Sequence, residues 1–115
     1  MFYHELKTQT WVKKDNKPYF VTDIDDEEIH LSLYGLYQYY FEPDNFPTDF
    51  ELLTLPKFNV GDKVLYRQIT SKTSERTGVT IIEVDENDQL EKYVARDNDI
   101  DIPWIMPIEV EPINY

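Results

Sequence analysis

Pro18-Tyr19-Phe20-Val21-Thr22-Asp23-Ile24, then Asp25-Asp26-Glu27, then Glu28-Ile29-His30-Leu31-Ser32-Leu33 is the run that decides the class of fold. Its second limb alternates strictly. Ile29, Leu31 and Leu33 fall on one side, His30 and Ser32 on the other, which is the period of a half-buried strand. The first limb is rich in β-branched and aromatic residues, which suit a pleated surface. The acidic triplet between them reads as a hairpin turn. The same signals recur downstream. Segments 62–69 and 78–84 read as strands joined by the polar loop 70–76. Segment 90–96 follows the turn Asp85-Glu86-Asn87-Asp88, and 104–113 supplies a last strand confined to an edge or bend by Pro107 and Pro112. Residues 33–41 are nearly continuously apolar and fit either a buried strand or a short helix. Residues 42–49 read as a loop and 49–53 as a short strand. With one alanine in the chain, helical signals are weak. The expectation is a mainly β, antiparallel protein of one or two small barrel-like units with little helix.

The two halves resemble each other. Trp11-Val12, Tyr19 to Asp25, Ile29-His30-Leu31 and Phe50 to Leu53 have counterparts in Lys63-Val64-Leu65, Gly78 to Asp85, Tyr93-Val94-Ala95 and Ile108 to Ile113. Val12 and Val64 lie 52 residues apart, about the span of one small β-unit. The expected division is 1–56 and 57–115, packed as one compact domain.

The 115 residues carry 23 acidic and 11 basic side chains, a net charge of −12, and no cysteine. A disulfide framework, a cysteine zinc site and a thiol nucleophile are thereby excluded. The charge is blocked along the chain. Residues 1–17 carry +2 and residues 18–56 carry −9, with no lysine or arginine. Residues 57–82 carry +3 and residues 83–115 carry −8. A field of this sign attracts a basic partner and opposes direct nucleic-acid binding, which needs clustered cations. The alternative is that the charge only keeps the protein soluble. Two histidines, His4 and His30, leave no room for a multi-histidine metal site, and His30 is expected to face solvent. The segment Asp97-Asn98-Asp99-Ile100-Asp101 begins like a calcium loop. It has Ile102 where glycine belongs and Ile108 where glutamate belongs. No nucleophile elbow, phosphate loop or zincin helix is present, so no catalytic residue, metal or cofactor is expected. The N-terminal residues lack the basic start and apolar run of a secretory signal, and no apolar run approaches the roughly 20 residues of a membrane span. The expected location is the cytoplasm, with no membrane partner.

Two resemblances bear on fold and partner. Phe58-Asn59-Val60-Gly61-Asp62-Lys63-Val64, followed by Gly78-Val79-Thr80-Ile81-Ile82-Glu83-Val84-Asp85, resembles the opening of small Tudor-like or KOW-like β-barrels. The first half is similar to short phage and Bacteroides-type hypothetical proteins. The resemblance implies a small barrel and, through tyrosines near acidic groups, an adaptor role. It departs from nucleic-acid-binding barrels in having acidic, not basic, turns. In composition the chain is similar to DNA-mimic phage inhibitors, which are small, cysteine-poor and strongly acidic. That likeness implies an inhibitor that occupies the nucleic-acid-binding surface of a basic protein, in the host cytoplasm if the chain is phage-encoded. The expected electrostatic contacts are Asp23, Asp25, Asp26, Glu27 and Glu28 in one patch and Asp85, Glu86 and Asp88 in another. Tyr37, Tyr40 and Trp104 are the expected aromatic anchors. The alternative is an adaptor that binds a protein partner through its tyrosine-rich face.

Overall fold

The computed structural model describes residues 3–113. The chain divides between Thr54 and Leu55 into two compact units. Each is built on an antiparallel five-stranded sheet, and helix is limited to short 3-10 turns. Neither sheet closes into a barrel, so the closed form of the expected barrels is not what these sequences build.

The first unit holds β1 (Thr10–Lys14), β2 (Lys17–Ile24), β3 (Ile29–Leu33), β4 (Tyr37–Phe41) and β5 (Glu51–Leu52), in the order β4-β3-β2-β1-β5. β1 and β2 are joined by Asp15 and Asn16, both at positive φ (53° and 62°). Two left-handed residues in succession match the right-handed twist of the flanking strands, and Asp and Asn tolerate that region better than most. The alternation read from 28–33 places Ile29 and Leu31 in a core with Val12, Val21, Leu6, Phe46 and Phe50. Phe50 stacks on Phe46 with centroids 5.2 Å or less apart and meets the edge of Tyr19. The other face of the sheet is not uniformly wet, contrary to the simple alternation. Ser32 is buried opposite Phe20, which packs against Trp11 at 5.2 Å. Ser32 keeps a partner because Gln38 Nε2 donates to its Oγ at 2.7 Å. Of the two readings of 33–41, the strand is correct from Tyr37 onward.

The second unit holds β6 (Lys63–Tyr66), β7 (Thr77–Val84), β8 (Tyr93–Asp97), β9 (Ile100–Ile105) and β10 (Val110–Pro112), in the order β10-β6-β7-β8-β9. β6 ends at Tyr66, short of the expected Ile69. The expected single strand over 104–113 is two strands separated by a 3-10 turn at Pro107–Glu109. The segment with the calcium-like spacing is a hairpin turn at Asn98 and Asp99 between β8 and β9. Entry into β6 bends at Gly61, whose φ of 95° suits a residue without Cβ. Its amide donates to the Ile81 carbonyl at 2.8 Å. The core comprises Phe58, Val64, Val79, Ile81, Tyr93, Ala95, Ile105 and Val110.

The likeness of the halves is a repeated register. Val12 faces Tyr19 and Leu52 as Val64 faces Val79 and Pro112. Val21 faces Leu31 as Ile81 faces Ala95, and Ile29 faces Phe41 as Tyr93 faces Ile105. Phe50 and Val110 immediately precede Glu51 and Glu111 and are both buried. The second strand of each unit is bulged at the same place, between Val21 and Asp23 and between Ile81 and Glu83. The units differ at hairpin ends, where length changes cost little. Asp15-Asn16 corresponds to the longer loop 67–76, and the turn 25–28 to the longer turn 85–92.

Candidate functional site

The acidic turn of the first unit is built by Asp25. Its Oδ1 accepts the amides of Glu27 at 2.8 Å and Glu28 at 2.6 Å, closing the turn that joins β2 to β3. These bonds, Glu28's first, hold the Asp25 carboxyl below the usual carboxylate range. With that oxygen in use, Asp25 turns Oδ2 toward His30, 3.8 Å from Nε2, and Glu28 Oε2 approaches the same nitrogen at 3.2 Å. His30 is therefore not a bare solvent-facing residue. It is half-buried, with the ring of Tyr40 edge-on at 4.7 Å. Asp23 lies opposite His30 across the β2–β3 ladder. Asp23, Asp25 and His30 bring one ligand atom each within 4.8 Å of one another, a set of one nitrogen and two oxygens that suits a divalent cation in type.

Beside this turn lies a cleft of about 530 Å³ lined by Ile24, Asp25, Asp26, Glu27, Glu42, Pro43 and Asp44. Five of the seven lining residues are carboxylates. The strand order causes this, since β3 pairs with both β2 and β4. The start of β3 and the end of β4 face each other at Ile29 and Phe41, so the residues after Phe41 arrive beside the β2–β3 turn. The sequence pattern points to Asp25, Asp26 and Glu27 but not to Glu42 and Asp44, which fall in a segment that reads as a loop. Their proximity comes from strand pairing, and no local pattern announces it.

Tyr37 and Tyr40 both lie on β4, the outer strand, with 58% and 60% of their surface exposed, and Tyr39 between them is also exposed. Tyr40 joins the His30 cluster, whereas Tyr37 sits at the other end of the strand opposite Leu33.

The other expected residues belong to the second unit. Asp85 Oδ1 accepts the Asn87 amide at 3.0 Å, and Asp88 Oδ1 accepts the amides of Leu90 and Glu91. Glu86 lies 3.7 Å from the buried Lys92 ammonium. Asp85 and Asp88 shape their own turn, and Glu86 alone pairs with an internal cation. The cleft of about 290 Å³ in this unit is lined by Lys63, Arg96 and Asp97 among others, so the acidic character of the first cleft is not repeated. Trp104 precedes Ile105 as Tyr40 precedes Phe41 and is also exposed, at 48%. It takes a φ of 56° within a bulged stretch of β9, a conformation costly for a bulky residue.

No family model, curated protein or solved structure matches the chain. No helix among the described residues is long and apolar enough to cross a membrane.

Sequence reasoning also missed Glu109, the one buried carboxylate among the described residues. Its role is internal. Oε1 accepts the Met106 amide and Oε2 the Ile69 amide, both at 2.9 Å.

Proposed function

We propose that the chain is an acidic protein-interaction module whose partner is a basic protein surface, of the kind that otherwise holds nucleic acid. The observation that carries this reading is the cleft in which Asp25, Asp26, Glu27, Glu42 and Asp44 converge, within a stretch, 18–56, that supplies no lysine or arginine. Carboxylates held at fixed spacing by turns and strand ends present negative charge at a cost already met in folding. A basic surface that meets them displaces the cations gathered around them, as it would around phosphates. In this reading the module acts as a DNA mimic and inhibits its target by occupying the site.

The test is capture of partners from cell lysate on the immobilised chain at low and high salt, followed by competition with duplex DNA. The expected partners are nucleic-acid-binding proteins that are held at low salt, released at high salt and displaced by DNA. They are lost on the combined substitution Asp26→Asn, Glu27→Gln, Glu42→Gln and Asp44→Asn. Capture indifferent to salt and to DNA overturns the reading.

A second reading has its own support. Tyr37, Tyr39 and Tyr40 are all exposed on an outer strand, Tyr37 and Tyr39 on one face and Tyr40 on the other, and in each unit the fifth strand returns to pair with the first after a 3-10 turn. An adaptor module of Tudor-like type that binds a protein through its tyrosines accounts for both. It predicts loss of binding with Tyr37→Ala and little salt dependence.

A further inference from the structure

An outer strand leaves a row of backbone donors and acceptors unpaired, and proteins ordinarily blunt such edges with charge, proline, bulges or brevity. Three of the four outer strands here are blunted. β5 has two residues, β10 ends in Pro112, and β9 carries Asp101, Pro103 and the bulge at Trp104. β4 is the exception. Tyr37-Gln38-Tyr39-Tyr40-Phe41 contains no charge and no proline, and it pairs with β3 in continuous register, without a bulge. Among the described residues no strand pairs with its outer side. Its composition has high strand propensity. Leu36, Tyr37, Tyr39 and Tyr40 leave apolar surface exposed along it.

The contrast with β9 is informative because the two strands hold the same place in a repeated register. One copy carries the devices that prevent pairing, and the other lacks them all. The charge around β4 selects the occupant. The strand runs directly into Glu42, Pro43 and Asp44, which line the acidic cleft with Asp25, Asp26 and Glu27. A second copy of this chain, paired through the same edge, offers no lysine or arginine anywhere in 18–56 to meet them. An extended segment carrying lysine or arginine at one end would complete the ladder and place its cations in the cleft.

From this we infer that β4 is a strand-addition site for an extended, lysine- or arginine-bearing segment of a partner protein. Main-chain hydrogen bonds along Tyr37–Phe41 hold the segment, and the cleft at the end of the strand receives its cations. The inference rests on the proposed basic partner and adds how that partner is gripped.

The experiment titrates the full chain with a blocked Lys-Lys-Val-Thr-Val-Thr-Val peptide and follows backbone amide shifts. A second peptide is identical but N-methylated at alternate residues, so that one of its edges cannot donate. The expected result is shifts centred on residues 37–41 and 42–44, slowed hydrogen exchange in β4, and affinity about tenfold or more weaker for the methylated peptide. Equal affinity of the two peptides, with shifts confined to Asp25, Asp26 and Glu27, overturns strand addition and leaves the basic-partner reading standing. No binding of either peptide at low salt overturns both. Concentration-dependent dimerisation abolished by Tyr40→Lys assigns the edge to a second copy and also overturns the inference.

Discussion

The Glu109 carboxylate, 6% exposed, accepts the backbone amide of Ile69 at 2.9 Å across forty residues of chain. Its other oxygen takes the Met106 amide at the same distance. One side chain thus ties the exit of β6 to the 3-10 turn before β10, while Arg67 N donates to the Glu109 carbonyl at 3.0 Å. Removing the acceptor leaves two amides without partners in a largely buried setting. Glu109→Ala is expected to cost about 2–4 kcal/mol, and Glu109→Gln less, since it keeps one acceptor oxygen. Urea denaturation followed by Trp104 emission checks both, and equal stability of the three proteins contradicts the assignment.

Asp25 supplies a pH dependence. Its folded-state carboxyl lies below the usual value because the Glu28 and Glu27 amides bond its ionised form. The stability it contributes is therefore present above an unfolded value of about 4 and is lost as pH falls through the lower folded value. Asp25→Asn is expected to melt below the parent protein at neutral pH, with the two curves converging in acid. Melting temperatures taken from neutral to strongly acid pH test this, and a constant gap across the range counts against it.

The cleft carboxylates repel one another, so part of their charge opposes folding. Asp26→Asn combined with Asp44→Asn is expected to raise the melting temperature at low ionic strength. The gain should shrink as salt screens the repulsion. A gain independent of salt would point to local packing instead.

Trp104 is the one tryptophan of the second unit and stands in a left-handed conformation with half its surface in solvent. Glycine at that position removes a strain of about 1–2 kcal/mol. Trp104→Gly is expected to leave stability within about 1 kcal/mol of the parent or raise it, since the gain is set against some lost burial. A loss beyond about 3 kcal/mol means the indole is a packing element and not a displayed one.

Much of the fold was legible where a strand carries its own pattern. Ile29, Leu31 and Leu33 alternate, and Val79 to Val84 is β-branched at every position but Glu83, so both strands declare themselves locally. β9 did not. Its residues include Asp101 and Pro103, and it is a strand because β8 holds it, not because its sequence insists. Ser32 likewise defied the alternation, since Gln38 on the neighbouring strand satisfies its hydroxyl. At the candidate site the acidic turn was visible as Asp25-Asp26-Glu27. Glu42 and Asp44 were not, because only the antiparallel return of β4 brings them beside it. The repeat was visible at Val12 and Val64. Its full extent needed the strand register, because hairpins of unequal length shift the spacing and hide it from any search at fixed period.

The ten-residue loop 67–76, standing where two residues suffice in the first unit, identifies the segment most permissive to engineering. Lys72 to Ser74 is exposed, and no residue of the loop belongs to the core of the second unit. A fluorophore, affinity handle or foreign peptide inserted there would ride on the second unit's sheet without disturbing its strands.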